Sequence, residues 1–274
     1  MILPELLKAL LYGLVEGITE WLPVSSTGHL ILLGALCPLQ VSEGFSEMFD
    51  VVIQLGAILA VAVLYAGKLN PLAPTKSPHA RRCTWRLWGR VCVAVLPSAV
   101  VGFFLDDLLD EYLFRPVTVA VTLILYGILF ILIERLRPAS KARVGDTGDV
   151  TARVALGIGL FQVLSLIPGT SRSGATILGG MLLGVSRGAA AEFSFFLAIP
   201  TMLGAGGLKA AKLLAEGTGV TAAEWGILAI GCLSAFLVSL AAIRFLTDFV
   251  KRHSFAAFGW YRIGLGLLVL STLA

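Results

Sequence analysis

The sequence predicts an all-α polytopic membrane protein, with six transmembrane helices and two re-entrant helical hairpins in an inverted-topology repeat. Of its 274 residues, 57% are hydrophobic and only 14% are charged, and the mean hydropathy is +0.91. Soluble domains carry roughly 25% charged residues, so this deficit indicates lipid as the main solvent. Six apolar segments have the length of a bilayer crossing, and two other apolar stretches are interrupted by Pro, Gly and Ser.

The six predicted crossings are segments close to the length of about 20 residues that a helix needs to span a bilayer. They are 48–66, 90–105, 116–134, 189–212, 225–243 and 255–273. The second segment is short and contains Pro97, so the sequence does not define where this crossing begins and ends. The net charge of +4 is also typical of proteins that bind nucleic acid. In a membrane protein, basic cytoplasmic loops explain such a charge, so no nucleic-acid partner is expected.

Loop charges predict the orientation of the chain. The segments 67–90, 135–153 and 244–254 are strongly basic, whereas 106–115 is acidic. Basic loops stay in the cytoplasm, so the acidic loop and, by counting crossings, both termini are expected outside. The first interrupted stretch then enters from the outer face and the second from the cytoplasmic face.

The two interrupted stretches, 6–36 and 154–184, are too broken for one helix and too apolar for an aqueous loop. Irregular backbone at membrane depth is tolerated where it lines a polar cavity, so each is predicted to form a re-entrant hairpin. Sliding residues 13–36 by 146 positions lays them on 159–182. Among the aligned pairs are Gly13/Gly159, Glu16/Gln162, Ser25/Ser171, Gly28/Gly174 and Gly34/Gly180. The chain is therefore expected to be a single transmembrane domain, 1–274, with a first repeat at about 1–134 and a second at about 150–274.

The first interrupted stretch holds an unusual group of polar residues at membrane depth. They are Glu16, Glu20, Ser25, Ser26, Thr27 and His29. Glu16 and Glu20 are four residues apart, so a helix presents both carboxylates on one side. Such a pair is tolerable where it holds a divalent cation, shares a proton or meets a cationic partner. Ser25 or Thr27 alone would suggest a helix cap, but the whole cluster predicts a functional site.

The second interrupted stretch reads PGTSRSGAT from Pro168 to Thr176 and has the composition of an anion-binding loop. Glycines allow close backbone approach, hydroxyls donate hydrogen bonds, and a helix N-terminus directs free N–H groups to the same point. Arg172 adds a planar, permanently charged group suited to phosphate oxygens. The alternative is a structural salt bridge from Arg172 to Glu16 or Glu20, and both roles are compatible. Together, the two stretches predict phosphoryl-transfer hydrolysis of a substrate with a lipid tail.

Over nearly its whole length the chain resembles the bacitracin-resistance type of undecaprenyl-diphosphatases. Two ungapped motifs carry the resemblance: Glu16–Glu20 followed by LPVSSTGH, and PGxSRSxxT at 168–176. The runs 49–60 and 184–200 also resemble sequences of this family. The resemblance implies hydrolysis of undecaprenyl diphosphate to the monophosphate, which recycles the lipid carrier of cell-wall synthesis in the bacterial inner membrane. It also implies a divalent cation, Mg or Ca, and a pocket open to the periplasmic side.

Carried over by motif, the resemblance implies three groups of site residues. Glu16 and Glu20 would hold the metal or act in acid–base steps. Ser26 and His29 would supply the nucleophile and its activator, with Ser26 favoured as nucleophile because a serine beside a base is the usual pairing. Residues that would hold the diphosphate with Arg172 are Ser25, Thr27, Gly169, Ser171, Ser173 and Thr176.

Two other functions share features with this sequence. An acid phosphatase-like lipid phosphatase would need His six residues after Arg172, where the chain has Leu178, so that function is excluded. A lipid-phosphate transporter or flippase stays open, because inverted repeats with broken helices are also typical of transporters. A homodimer is plausible on packing grounds only.

Four further residues are weaker candidates. Asp50 and Gln54 share a helical face and are possible pocket residues, and Glu192 lies near the matching place in the second half. Arg262, within the last apolar segment, is expected to snorkel or to pair structurally.

Overall fold

A computed structural model of the chain describes residues 2–136, 142–215 and 220–273, and the structure within these ranges is helical. The α-helices are α1 (Ile2–Thr19), α2 (Ser26–Leu36), α3 (Glu43–Leu64), α4 (Ala66–Leu69), α5 (Pro78–Leu113), α6 (Pro116–Leu136), α7 (Ala152–Val163), α8 (Arg172–Leu182), α9 (Arg187–Ala215), α10 (Ala222–Arg252) and α11 (Ala256–Leu273). Short 3₁₀ turns cover Thr147–Asp149 and Leu164–Leu166.

Within the described ranges, six helices are long and apolar enough to cross a membrane, which confirms the predicted multi-pass fold. Their spans are Gly44–Leu64, Pro78–Leu105, Pro116–Leu136, Arg187–Leu208, Ala222–Arg252 and Ala256–Leu273. Pro97 lies inside α5 without ending it, because a transmembrane helix tolerates proline where neighbouring groups satisfy the freed carbonyl.

The predicted loop boundaries were partly wrong. Helix α5 extends to Leu113 and α10 to Arg252, so most of the acidic segment 106–115 and of the basic segment 244–254 is helical. Hydropathy marks where charged residues begin, whereas a helix continues as long as its backbone hydrogen bonds are satisfied and its charged side chains reach water. Of the basic segment 135–153, residues 137–141 lie outside the described part of the chain.

Each interrupted stretch folds as two helices joined at the predicted break. Helices α1 and α2 flank residues 20–25, and α7 and α8 flank 164–171. The entry of these hairpins from opposite faces stays a prediction.

The first helix of each hairpin packs directly against the backbone of a long spanning helix. A Cβ on Gly13 would lie 2.2 Å from the Gly231 carbonyl oxygen of α10, and one on Gly159 would lie 2.3 Å from the Ala94 oxygen of α5. Only glycine permits this approach, which is typical of helix packing in membranes. The acidic helix α1 is therefore fixed in depth and rotation against α10.

Candidate active site

Helices α2 and α8 begin in the same unusual way. Each starts after a serine with positive φ, Ser25 at 75° and Ser171 at 71°, the two non-glycine residues with positive φ in the described chain. Each hydroxyl caps its helix by accepting from the N–H three residues on, 3.4 Å from Gly28 and 3.2 Å from Gly174. L-residues in this conformation cost about 1–3 kcal/mol, and such strain clusters at functional sites. The two caps occupy positions that are aligned in the predicted repeat, and the repeat itself stays a prediction.

Glu20 connects the two hairpins. Its Oε2 accepts a hydrogen bond from the Ser26 hydroxyl at 2.9 Å, and its Oε1 accepts from Arg172 Nη2 at 2.8 Å. The Glu20 and Arg172 side chains are only 7% and 9% exposed, so the ion pair is poorly screened and strongly directional. The ion pair considered for Arg172 is therefore present, and it lies directly beside the candidate nucleophile.

Arg172 is also held from its other side by α9. Its Nη1 donates to the Ser194 carbonyl oxygen at 2.6 Å, and the Ser194 hydroxyl accepts from Thr176 at 2.7 Å. The guanidinium carbon lies 5.7 Å from the centre of the Trp21 ring, within range of a cation–π contact. Sequence reasoning missed Ser194, because a serine in an apolar helical run has no local signal of a polar role.

The remaining hydroxyls of the second motif mainly organise the break itself. Ser173 donates to the Glu20 carbonyl oxygen at 3.1 Å, and its hydroxyl lies 3.1 Å from that of Ser171. Thr27 is half-buried on the first turn of α2. The predicted diphosphate-binding set is thus largely gathered around the starts of α2 and α8.

His29 contacts groups other than Ser26. Its Nδ1 is 2.7 Å from the Ser25 carbonyl oxygen, and its Nε2 is 2.7 Å from the Tyr261 hydroxyl. Since a carbonyl only accepts, Nδ1 carries a hydrogen, and in the neutral ring Nε2 accepts from Tyr261. The base that directly contacts Ser26 is therefore Glu20. The sequence did not single out Tyr261 for this role.

Glu16 is completely buried, and neither of its carboxylate oxygens has a hydrogen-bond partner within the described residues. It lies within electrostatic range of Glu20, Asp50 and Arg172. The aligned Gln162 is also buried, but its amide donates to the Ser98 hydroxyl at 2.5 Å. A buried carboxylate without a partner is costly. The first half thus carries a carboxyl group without hydrogen-bond partners, where the second half carries an amide whose nitrogen donates and whose oxygen has no partner among the described residues.

The weaker candidates have separate outcomes. Asp50 belongs to the electrostatic surroundings of Glu16, and Gln54 is half-buried one turn further along α3. Glu192 instead binds Lys68 at 2.5 Å and Thr147 at 2.8 Å, outside the site. Arg262 was expected to snorkel or to pair structurally, and the structure agrees with the second alternative: the side chain is 0% exposed and donates to backbone carbonyl oxygens.

Gly169 is expected to be irreplaceable at the second break. Its φ is +86°, and a Cβ there would lie 2.2 Å from the Thr122 hydroxyl and 2.7 Å from the Val119 carbonyl oxygen. Gly169→Ala should destabilise the protein by roughly 2–6 kcal/mol, since backbone strain and overpacking each cost about 1–3 kcal/mol. Thermal unfolding in detergent measures the effect. Gly226→Ala is the control, because open space surrounds Gly226; equal melting temperatures for the two variants would contradict this role.

Comparison with known proteins identifies close relatives. A sequence model of the family described as bacitracin resistance protein BacA matches residues 9–268. A protein of Lacticaseibacillus casei named undecaprenyl-diphosphatase is 53% identical over 267 residues, or 97% of each chain. Proteins of the same name from Enterococcus faecalis and Lactiplantibacillus plantarum are 51% identical over 270 residues and 52% identical over 266, covering 98% and 97% of each chain.

Proposed function

Since the chain belongs to the bacitracin resistance protein BacA family, we propose that it hydrolyses undecaprenyl diphosphate to undecaprenyl phosphate and inorganic phosphate. The observation that carries the proposal is the continuous contact from Ser26 through Glu20 to Arg172. It places a hydroxyl, a base and a phosphate-binding cation together in one apolar bundle. Such an enzyme recycles the lipid carrier of cell-wall synthesis and thereby confers bacitracin resistance.

Ser26 is the nucleophile in this mechanism. Glu20 takes the hydroxyl proton as the Ser26 oxygen attacks the terminal phosphorus of the lipid diphosphate. The bond from that phosphorus to the bridging oxygen breaks, Glu20 gives the proton to that oxygen, and undecaprenyl phosphate leaves. Water, deprotonated by Glu20, then attacks the phosphoserine and releases inorganic phosphate, which restores the Ser26 hydroxyl. Each step moves one proton through the same carboxylate.

Arg172 stabilises the charge that moves during both displacements. Its planar guanidinium matches phosphate oxygens, and its anchoring by Ser194 fixes the direction in which it points. The free N–H groups at the starts of α2 and α8 add partial positive charge on the same side. Ser25, Thr27, Ser171, Ser173, Gly169 and Thr176 shape this anion-binding surface.

A divalent cation, Mg or Ca, fits the buried carboxyl group of Glu16, whose oxygens have no hydrogen-bond partner among the described residues. No group of three His, Cys, Asp or Glu side chains in the described ranges is arranged to hold a metal alone. Mg²⁺ in phosphoryl-transfer sites is commonly held by one or two carboxylates together with the substrate phosphates. Glu16 and Glu20 would supply the carboxylates, and the bound ion would neutralise diphosphate charge.

Removal of divalent metal is expected to reduce phosphate release at least about tenfold, because charge neutralisation is a main component of such catalysis. Glu16→Gln should shift the dependence on Mg²⁺ and Ca²⁺, tested separately, to higher concentrations. Glu192→Gln is the matched control, as its carboxylate lies outside the site. Unchanged metal titrations for Glu16→Gln would remove Glu16 from the metal site.

Purified protein in detergent tests the main proposal directly. We expect inorganic phosphate to be released from undecaprenyl diphosphate and from shorter isoprenyl diphosphates. Absence of release across metals and pH values would overturn the assignment as a phosphatase. The relatives from Lacticaseibacillus casei, Enterococcus faecalis and Lactiplantibacillus plantarum are named undecaprenyl-diphosphatase, which favours hydrolysis over transport. Lipid translocation in proteoliposomes is the separate test of the flippase alternative.

The site is proposed to open to the periplasmic side of the bacterial inner membrane. The support is the positive-inside rule, which places the basic ends of α5 and α10 in the cytoplasm. Sealed right-side-out vesicles should therefore hydrolyse externally added lipid diphosphate without permeabilisation. A requirement for detergent would contradict this orientation. The homodimer remains a prediction.

A further inference from the structure

Arg262 of α11 contacts the breaks of both hairpins at once. Its Nη1 donates to the Pro23 carbonyl oxygen at 3.2 Å, and its Nη2 donates to those of Gly169 and Thr170 at 2.8 Å and 3.0 Å. The side chain is 0% exposed. A guanidinium has a rigid planar fork, so these bonds fix the distance between two chain segments that are remote in sequence.

We propose that Arg262 is the positioning residue that assembles the two halves of the site, an inference that rests on the proposed function. Pro23 lies two residues before the Ser25 cap, and Thr170 lies immediately before the Ser171 cap. Arg262 therefore holds the chain just ahead of both helix starts. Arg262 acts through backbone carbonyls. The distance that it fixes between the two hairpin breaks determines whether Glu20 can contact Ser26 and Arg172 at the same time.

The surroundings of Arg262 favour arginine over other cations. The guanidinium carbon lies 5.6 Å from the centre of the Tyr126 ring, within range of a cation–π contact. A Cβ on Gly174 would lie 3.3 Å from Arg262 Nη1, so the first turn of α8 packs closely against the guanidinium. A lysine keeps the charge but presents one ammonium, which cannot reach two separated breaks with fixed geometry.

The energetics also favour a positioning role. The bonds made by this guanidinium go to neutral carbonyls, so it has a large desolvation cost and no ionic partner among its hydrogen-bond acceptors. Hydrophobic packing would give stability at lower cost. A buried charge between the two strained helix starts instead fixes the relative positions of the reacting groups. This matters for catalysis because misplacement of such groups by about 1 Å can cost about a hundredfold in rate.

Arg262→Lys and Arg262→Gln test the proposal, with Arg90→Lys as the control. Arg90 likewise donates to a backbone carbonyl, that of Gly148, but lies outside the site. We expect Arg262→Lys to lower kcat about tenfold or more, with KM for the lipid diphosphate within about threefold of wild type. Amide hydrogen exchange should accelerate in both segments 20–27 and 166–173. In Arg90→Lys, both kcat and the exchange rates of these segments should stay at the wild-type values.

Two results would overturn the proposal. One is a kcat for Arg262→Lys near wild type, and the other is unchanged exchange in either segment. Arg262→Gln should give the larger effect, and if it does not fold, the lysine variant, which keeps the charge and the stem, decides alone. The exchange measurement needs no substrate, so it separates failure of this proposal from failure of the proposed function.

Discussion

Replacing Arg172 with alanine is expected to lower the rate of phosphate release by about a thousandfold. Arginines that bind transferring phosphoryl groups contribute about 10³-fold or more to such rates. The same change leaves the buried Glu20 carboxylate without its 2.8 Å partner, and breaking a buried pair costs about 3–5 kcal/mol. Initial rates from an isoprenyl diphosphate, normalised to folded protein, measure the effect.

A matched control separates the loss of a phosphate-binding group from the loss of a buried arginine. Arg187 forms an ion pair with Glu134 that lies outside the site. Arg187→Lys should therefore keep turnover, whereas Arg172→Lys should recover only part of the loss, because an ammonium lacks the planar fork. Near-normal turnover of Arg172→Ala would show that the arginine is structural.

Replacing Ser26 with alanine is expected to abolish turnover, with a loss of about 10³-fold or more, as for other nucleophile deletions. Ser234→Ala is the control, since it removes a hydroxyl that bonds the Leu10 carbonyl oxygen away from the site. Rapid quenching with substrate labelled in the terminal phosphate should trap label on wild type and none on Ser26→Ala.

The trapped label also decides between the two candidate nucleophiles. A phosphoserine survives acid, whereas a phosphohistidine does not, so acid-stable label assigns Ser26. The structure favours this outcome because Ser26 contacts Glu20 directly, while both nitrogens of His29 are engaged by Ser25 and Tyr261. Acid-labile label that disappears in His29→Ala would reverse the assignment.

The sequence predicted the parts of the fold that depend on hydropathy and on local breaks. Six crossings and two interrupted stretches follow from the cost of burying charge and irregular backbone in lipid. It could not predict helix ends such as Leu113, because helical hydrogen bonding continues past the apolar region. The expected acidic loop is therefore mostly helix.

For the site, the sequence identified residues with unusual chemistry at membrane depth but not their pairings. Glu20 and Arg172 stood out individually, yet which carboxylate the arginine meets depends on how α1 and α8 approach each other. Ser194 and Tyr261 are ordinary in their local context, so only tertiary structure assigns them. Arg262 stands out in the sequence as a charge within an apolar segment, but its backbone partners lie in segments far along the chain.

The contact between Glu20 and Arg172 spans 152 positions of the chain, and it has a consequence for how the protein can be divided. The first half contains the hydroxyl and the carboxylates, and the second half contains the cation that completes them. Neither fragment alone is complete. Two separately expressed fragments, split within the connection between α6 and α7, would have to associate in the membrane before either could become active. The protein therefore behaves as two complementary partners that share one polypeptide.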